Sequence, residues 1–277
     1  MNESGADTKG CKRYRDSLFS DRFIFALLRY KHPGKFGVSC VVKAREQAMS
    51  HILDNMIWNA ITTGNAGIAI VDGDVGIYNP DIAPFAGMKE LNAKNLDKLY
   101  EMTAPGQRVA IHYFDSLPVD TNKWNTLQQM DITQMVYEVP VSSFTTAASN
   151  GIVPLTEEHI PAMLELTKLT KPGPFLQNTI LFGNYFGIFT DGRLAAMAGQ
   201  RMHPAPYMEV SAVCTHPDYR GRGYAKALML RVMQLILENS FTPFLHVLSS
   251  NAGAIQLYES IGYRIRRQFF MDVVKRL

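Results

Sequence analysis

The segment that most constrains the fold is Val213–Leu228, which reads VCTHPDYRGRGYAKAL. A strand-like apolar run ends at Pro217, because proline cannot extend a central strand. After two glycines, Leu228 and Val232 begin a helical spacing of apolar residues, which predicts a helix. Free N–H groups at a helix start favour anions, and glycine lets a phosphate approach closely. On the residues alone, a phosphate-binding junction and an exposed turn both remain open.

Composition sets broad limits on the class of protein. The 277 residues are 47% hydrophobic and 19% charged, as is ordinary for a soluble globular chain of one large or two small domains. The net charge of +3 is slight, so no nucleic-acid partner is expected. The cysteines, Cys11, Cys40 and Cys214, are too few and too far apart for a disulfide framework or a metal site. The polar N-terminus and the short apolar run Phe23–Leu28 predict a cytoplasmic protein with no membrane partner.

The chain shows two halves with a similar pattern. Gly67–Asn79 and Tyr185–Gly199 each read as strand, Asp-Gly turn, strand, because Asp-Gly between apolar runs favours a hairpin. The first half continues with a helix near Lys89–Met102 and two strands. The second continues with a strand at Met208–Thr215, a helix at Tyr224–Asn239 and further strands. Two related α/β units are therefore predicted.

A boundary between the units is predicted at residues 141–151. This stretch is rich in Ser, Thr, Ala and Gly and has no clear period. The predicted organisation is a first domain at 1–140, a linker at 141–151 and a second domain at 152–277. The second unit opens with a helix for which Thr156 is the expected N-cap, and Pro172 and Pro174 follow its end.

Two ordered motifs in the second half resemble those of the GNAT superfamily of N-acetyltransferases. Residues 220–225, RGRGYA, fit Gln/Arg-x-x-Gly-x-Gly/Ala between a strand and a helix. Asn251–Tyr263, NAGAIQLYESIGY, fits Asn-x-x-Ala-x-x-x-Tyr-x-x-x-Gly-Phe/Tyr at the usual distance. The resemblance covers about Ile152–Leu277 and is to the branch near the glycine N-acyltransferases. Residues 1–140 lack the first motif and look like a degenerate GNAT-like partner domain.

This resemblance implies a fold and a cofactor. The fold is the GNAT-like acyl-CoA N-acyltransferase fold, α/β (α+β), with a mixed, mostly antiparallel central sheet and flanking helices, in two tandem units. Acetyl-CoA is the implied acyl donor, without a metal. The strand before the loop should splay from its neighbour through a bulge and hold the thioester arm, and the loop N–H groups should hold the pyrophosphate. The implied cofactor-binding residues are Val213, Cys214, Thr215, Arg220, Gly221, Arg222, Gly223, Tyr224, Ala225 and Asn251.

The resemblance also implies catalytic roles, each with a structural alternative. Transfer to an amine needs a base and a proton donor for the departing thiolate. Glu209 is the implied base, or else an exposed or salt-bridged carboxylate. Tyr258 is the implied proton donor, or else a packed aromatic residue. Asn251 is expected to hydrogen-bond the cofactor arm, to cap a helix, or to do both.

The acceptor site is less defined by the residues. Lys171 and Phe175 follow the first helix of the second unit, where relatives bind the acceptor. His246 lies on the strand across the splay and either lines the acceptor pocket or is a core or hydrogen-bonded histidine. These three are the candidate substrate-binding residues. Cys214 is disfavoured as a covalent nucleophile, because no histidine or carboxylate is placed by motif to activate it.

The predicted function is that of an N-acetyltransferase, which passes an acetyl or other acyl group from acetyl-CoA to a primary amine by direct attack in a ternary complex. The acceptor is a small-molecule or peptide amine. The alternative is an inactive acyl-CoA-binding sensor or scaffold, suggested by the degenerate first half. Nucleic-acid binding is weaker, because the family context accounts for Arg220 and Arg222. A homodimer is one option for the oligomeric state.

Overall fold

The structure, a computed structural model, describes residues 51–140 and 151–277. The predicted linker at 141–151 lies outside the described residues except for Gly151, as do Cys11 and Cys40. The division of the chain at this linker therefore stays a prediction. In the two described ranges, no helix has the length and apolar character needed to cross a membrane.

Helices flank the sheets of the described chain. The helices are α1 (Met56–Ile61), α2 (Ala93–Met102), α3 (Ile160–Thr170), α4 (Tyr224–Glu238) and α5 (Ala252–Ser260). α2 begins later than the predicted Lys89, because the side chain of Asn92 accepts a hydrogen bond from the backbone N–H of Asn95 at 2.9 Å and starts the helix there. α3 follows a short turn that is capped by Thr156, as predicted.

Two sheets organise the strands of the described residues. The small sheet contains β1 (Ala69–Asp72), β2 (Val75–Tyr78) and β3 (Ala86–Met88). The strands of the large sheet are β4 (Arg108–Tyr113), β5 (Trp124–Tyr137), β6 (Ile152–Leu155), β7 (Tyr185–Thr190), β8 (Arg193–Gln200), β9 (Tyr207–Thr215), β10 (Thr242–Leu248) and β11 (Tyr263–Arg276). Their order in the sheet is β4-β11-β5-β10-β9-β8-β7-β6, and each neighbouring pair is antiparallel except β9 with β10. The prediction of a mixed, mostly antiparallel sheet with flanking helices is confirmed.

Both predicted hairpins form, with different turns. The turn between β7 and β8 uses Asp191 and Gly192, which have φ of +53° and +73° as the Asp-Gly pattern requires. The turn between β1 and β2 lies one residue later than its Asp-Gly pair, because Asp72 itself pairs with Val75. Its central residues are Gly73 and Asp74, and Gly73 alone of the two has a positive φ.

Apolar layers cover both faces of the large sheet. On one face, α4 buries Leu228, Val232 and Ile236 against the strands. On the other face, Phe244 and its neighbours pack against α1 and the small sheet. Each large apolar side chain buried in this way contributes about 1.5–3 kcal/mol to folding.

Strand β5 connects the first part of the chain to the last. It lies between β10 and β11, so that Val136 pairs with both Phe244 and Arg264. The large sheet therefore takes strands from both sides of residues 141–151.

Candidate functional site

The large sheet opens between β9 and β10. These parallel strands pair only from Tyr207 to Glu209 with Thr242 to Phe244, and they diverge beyond. A bulge in β9 accompanies the divergence: Ser211 and Cys214 face Gly199 and Met197 of β8, so three steps on β9 match two on β8. Ala212, inside the bulge, has a φ of +52°. The splay and bulge expected from the resemblance are both present.

A cavity of about 1010 Å³ lies at this opening. The strand end Val213–Thr215, the loop at 219–226 and α5 line it. Residues of β4, β5, β10 and β11 and the segment 170–174 also line it. The structure thus brings every predicted cofactor-binding residue to one cavity, together with Tyr258, His246 and Lys171.

The loop before α4 has the geometry of an anion site. Gly221 and Gly223 have φ of +76° and +77°, a region that favours glycine, and a Cβ added to either would meet no atom within 4 Å. No described residue accepts a hydrogen bond from the backbone N–H groups of residues 221–226. These N–H groups lie at the N-terminus of a 15-residue helix, where the helix dipole favours negative charge.

Charge in the cavity agrees with this geometry. Arg220, Arg222 and Lys226 line it at the loop, and Arg222 stacks over the ring of Tyr219 at 5.1 Å. Among the described residues, no aspartate or glutamate lines the cavity. The site is therefore electropositive and suited to a polyphosphate.

Tyr258 projects from α5 into the same cavity. The residue is 9% exposed, and its hydroxyl makes no hydrogen bond to a described residue. Burial raises the pKa of Tyr258 to about 12. The phenol is therefore protonated at neutral pH and available as a hydrogen-bond and proton donor.

Asn251 caps α5 and also lines the cavity. Its side-chain oxygen accepts a hydrogen bond from the backbone N–H of Ala254 at 3.2 Å. The helix-capping role is therefore seen directly, and the contact with the cofactor arm stays a prediction.

Glu209 is buried at the point where β9 and β10 stop pairing. Arg201 donates to it twice, from Nε at 2.8 Å and Nη2 at 2.6 Å, and the backbone N–H of Met202 donates at 3.2 Å. Burial opposes ionisation, but the Arg201 charge outweighs it with help from His246, so the pKa of Glu209 is well below its usual value. These contacts match the salt-bridged alternative, and the base role stays a prediction.

A hydrogen-bond network fixes the tautomer of His246. Arg266 donates to Oε1 of Gln134 at 2.7 Å, which turns the Gln134 amide nitrogen toward Nε2 of His246 at 3.0 Å. His246 Nε2 therefore accepts, and its Nδ1 carries the proton that it donates to Glu209 at 2.7 Å. The network ties β9, β10, β5 and β11 together beneath the cavity.

The structure places two of the three predicted acceptor-site residues in the cavity wall. Lys171 and His246 line the cavity, whereas Phe175 packs edge-on against the ring of Tyr185 at 5.6 Å and is not part of the cavity wall. Arg201 lines the cavity although no motif marks it. Its position follows only from the pairing of β8 and β9, which the sequence pattern does not specify.

The surroundings of Cys214 do not favour a role as a nucleophile. The residue is 7% exposed, and burial raises the pKa of its thiol to about 11. The thiol packs with Met163 and Met197 in a small apolar cluster. A neutral thiol of this kind is a poor nucleophile.

The splayed mixed sheet and its helices define an α/β protein with a GNAT-type fold. The family model for FR47-like proteins matches residues 185–271. A solved structure from Novosphingobium aromaticivorans DSM 12444, assigned to the GNAT family of acetyltransferases, is 32% identical and superposes with a TM-score of 0.75, over 82% of this chain and 100% of that one. The chain therefore belongs to the GNAT family.

A curated enzyme is similar to part of the chain. The [ribosomal protein bS18]-alanine N-acetyltransferase of Salmonella typhimurium strain LT2 is 28% identical over 131 residues, which are 44% of this chain and 87% of that enzyme. Relatives of this protein are thus N-acetyltransferases.

Proposed function

We propose that the protein transfers an acetyl group from acetyl-CoA to a primary amine by direct attack in a ternary complex. One observation carries the proposal: the unpaired N–H groups of residues 221–226, the diverging strand β9 and the free hydroxyl of Tyr258 share one cavity. The acetyltransferase relatives support the same reaction class.

The residues fit coenzyme A. When bound, acetyl-CoA supplies an acetyl group activated as a thioester. The N–H groups of residues 221–225 bind its pyrophosphate, and Arg220 and Arg222 add charge. The backbone of Val213 and Thr215, on either side of Cys214, holds the pantetheine arm. Asn251 hydrogen-bonds that arm while it caps α5.

Tyr258 donates a proton to the departing thiolate in this proposal. Tyr258→Phe is expected to lower turnover by about 10²- to 10⁴-fold, the usual range for losing a general acid, with acetyl-CoA affinity largely kept. Tyr263→Phe is a matched control, because Tyr263 is a neighbouring buried tyrosine whose ring centroid is 6.3 Å away and which does not line the cavity. Steady-state kinetics would test both variants, and full turnover in Tyr258→Phe would remove this role.

Glu209 remains the candidate base, by an indirect route. No described carboxylate reaches the cavity wall, and Glu209 contacts it through Arg201 and His246. Glu209 is fully buried, so a proton leaving the amine would reach it across His246, whose Nε2 would first have to release the hydrogen bond from Gln134.

The full use of Glu209 in hydrogen bonds favours a second candidate, an acyl-CoA-binding sensor or scaffold without transfer activity. Calorimetric titration of acetyl-CoA and CoA, followed by a mass-spectrometric screen for acetylated amines, separates the two. Binding with transfer supports the enzyme, and binding without transfer to any amine supports the sensor. Absence of binding rejects both.

Finer assignments are also proposals. The branch near the glycine N-acyltransferases rests on the resemblance of residues 152–277 as a whole. A peptide acceptor is suggested by the Salmonella relative, whose name specifies a ribosomal-protein alanine. The amine screen includes glycine and a peptide with N-terminal alanine for this reason.

A further inference from the structure

Arg201 presents hydrogen-bond donors to the cavity that no described residue uses. A guanidinium has five N–H donors in a fixed planar fork. The edge of Arg201 formed by Nε and Nη2 donates both of its hydrogen bonds to Glu209. The opposite edge, formed by Nη1 and the second N–H of Nη2, has no partner in the described chain, and a Cβ placed on Gly173 would lie 3.9 Å from Nη1. Both Arg201 and Gly173 line the cavity, so this edge is turned toward it.

The guanidinium of Arg201 is held in place. Glu209, which anchors it, is itself fixed by hydrogen bonds from His246 and from the Met202 backbone. On its flat side, the guanidinium lies over the ring of Phe85 at 4.9 Å. The Arg201 side chain is 12% exposed, unlike a mobile surface cation. A fixed planar fork suits a carboxylate, which can accept two parallel hydrogen bonds from it.

The charge around Arg201 selects among amines. Lys171 lines the cavity from the loop at 171–174 that also faces Arg201. No described carboxylate lines the cavity, so a substrate whose only charge is an ammonium group would be repelled. An amine that also carries a carboxylate would instead be attracted and oriented.

An apolar wall lies beside Arg201. Met130 of β5 is opposite Met271 of β11, and Ala110 of β4 is opposite Val273 of β11. Phe85 bridges to Ala110 and stacks on Arg201, so it joins the wall to the charge. The wall is made by Phe85, Ala110, Met130, Ile132, Met271 and Val273.

We propose that Arg201 binds the carboxylate of the acceptor, and that this acceptor is an amino-acid-like amine with an apolar side chain. That the bound carboxylate belongs to the acyl acceptor rests on the proposed function, whereas the carboxylate site itself does not. The carboxylate takes the free edge of Arg201, and the apolar group packs on the wall from β4, β5 and β11. Glu209 acts here as a positioning residue for Arg201.

Equilibrium binding tests this without requiring turnover. N-acetyl-L-leucine and N-acetyl-L-leucinamide are titrated calorimetrically into the full chain, alone and saturated with CoA. The two probes differ only in the carboxylate, so the amide is expected to bind at least about tenfold more weakly. Arg201→Lys keeps the charge opposite Glu209 but lacks the second edge. It is expected to weaken N-acetyl-L-leucine by about tenfold and to leave CoA binding, which also reports folding, unchanged.

Each outcome decides the proposal. Equal affinity for the two probes, or binding of neither, overturns it. If Arg201→Lys fails to bind CoA, the probe pair on the unaltered protein decides alone. Carboxylate-dependent binding in a protein that never transfers acetyl groups rejects the proposed function and keeps the site. In a transfer assay, acetylation of 3-methylbutylamine as efficient as that of L-leucine rejects the site and keeps the function.

Discussion

Replacing Glu209 by glutamine should lower the free energy of unfolding, because it leaves the buried charge of Arg201 without a partner. The substitution keeps the shape of the side chain and removes its charge. The guanidinium of Arg201, which is almost completely buried, then has no counter-charge. The glutamine amide also turns a donor toward groups that already donate, from Arg201, His246 or Met202. Breaking one partner of a buried ion pair costs about 3–5 kcal/mol, and this loss in the free energy of unfolding is expected at pH 7.

The effect of pH follows from the lowered pKa of Glu209. Its folded-state pKa lies below the unfolded value of about 4.3, so ionised Glu209 stabilises the folded protein above that pH. This contribution is lost as the pH falls from the unfolded pKa through the folded one. The difference in stability between the unaltered protein and Glu209→Gln should therefore be constant from pH 7 to about 5 and narrow below about pH 4.

Urea unfolding followed by circular dichroism measures these differences. Glu259→Gln is the matched control, because Glu259 is exposed on α5; its effect should stay within about 0.5 kcal/mol. A loss below about 1 kcal/mol for Glu209→Gln at pH 7 would refute the account of the buried pair. A difference that does not narrow in acid would refute the lowered pKa.

Two further results are expected at the cavity. Gly223→Glu should abolish binding of CoA in calorimetry by adding bulk and negative charge at the anion site, whereas Gly192→Glu, at another positive-φ glycine in open space outside the cavity, should bind normally; retained binding in the first variant would reject the loop as the pyrophosphate site. Cys214 should react with iodoacetamide at pH 7.5 at least about a hundredfold more slowly in the folded protein than in urea, because burial raises its pKa to about 11; equal rates would show that the thiol is accessible and ionised.

Local patterns allowed much of the fold to be predicted. The hairpin at Asp191–Gly192 and the junction at Gly221 and Gly223 each depend on backbone conformations that few residues favour, so the sequence specifies them. The sequence pattern does not indicate the start of β5 at Trp124, because residues 125–131 are mostly polar and exposed and carry little apolar alternation.

The candidate site was only partly predictable, because only some of its residues belong to local sequence motifs. The loop glycines and Tyr258 belong to contiguous motifs. Arg201 and Phe85 gain their meaning from partners far away in the chain, across strand pairings that a single sequence does not reveal. Glu209 could be marked as a candidate, but its enclosure by Arg201 and His246 depends on three strands meeting at one point.

The position of β5 between β10 and β11 has a consequence for synthesis of the chain. Val136 of β5 pairs with Phe244 of β10, about 110 residues later in the chain, so the middle of the sheet cannot form until β10 has been synthesised. Until the ribosome has released nearly the whole polypeptide, β5 exposes two unpaired edges and an apolar face, a state prone to aggregation. Nascent chains that end before β10 are therefore expected to depend on chaperones, and the cavity can form only as the last strands emerge.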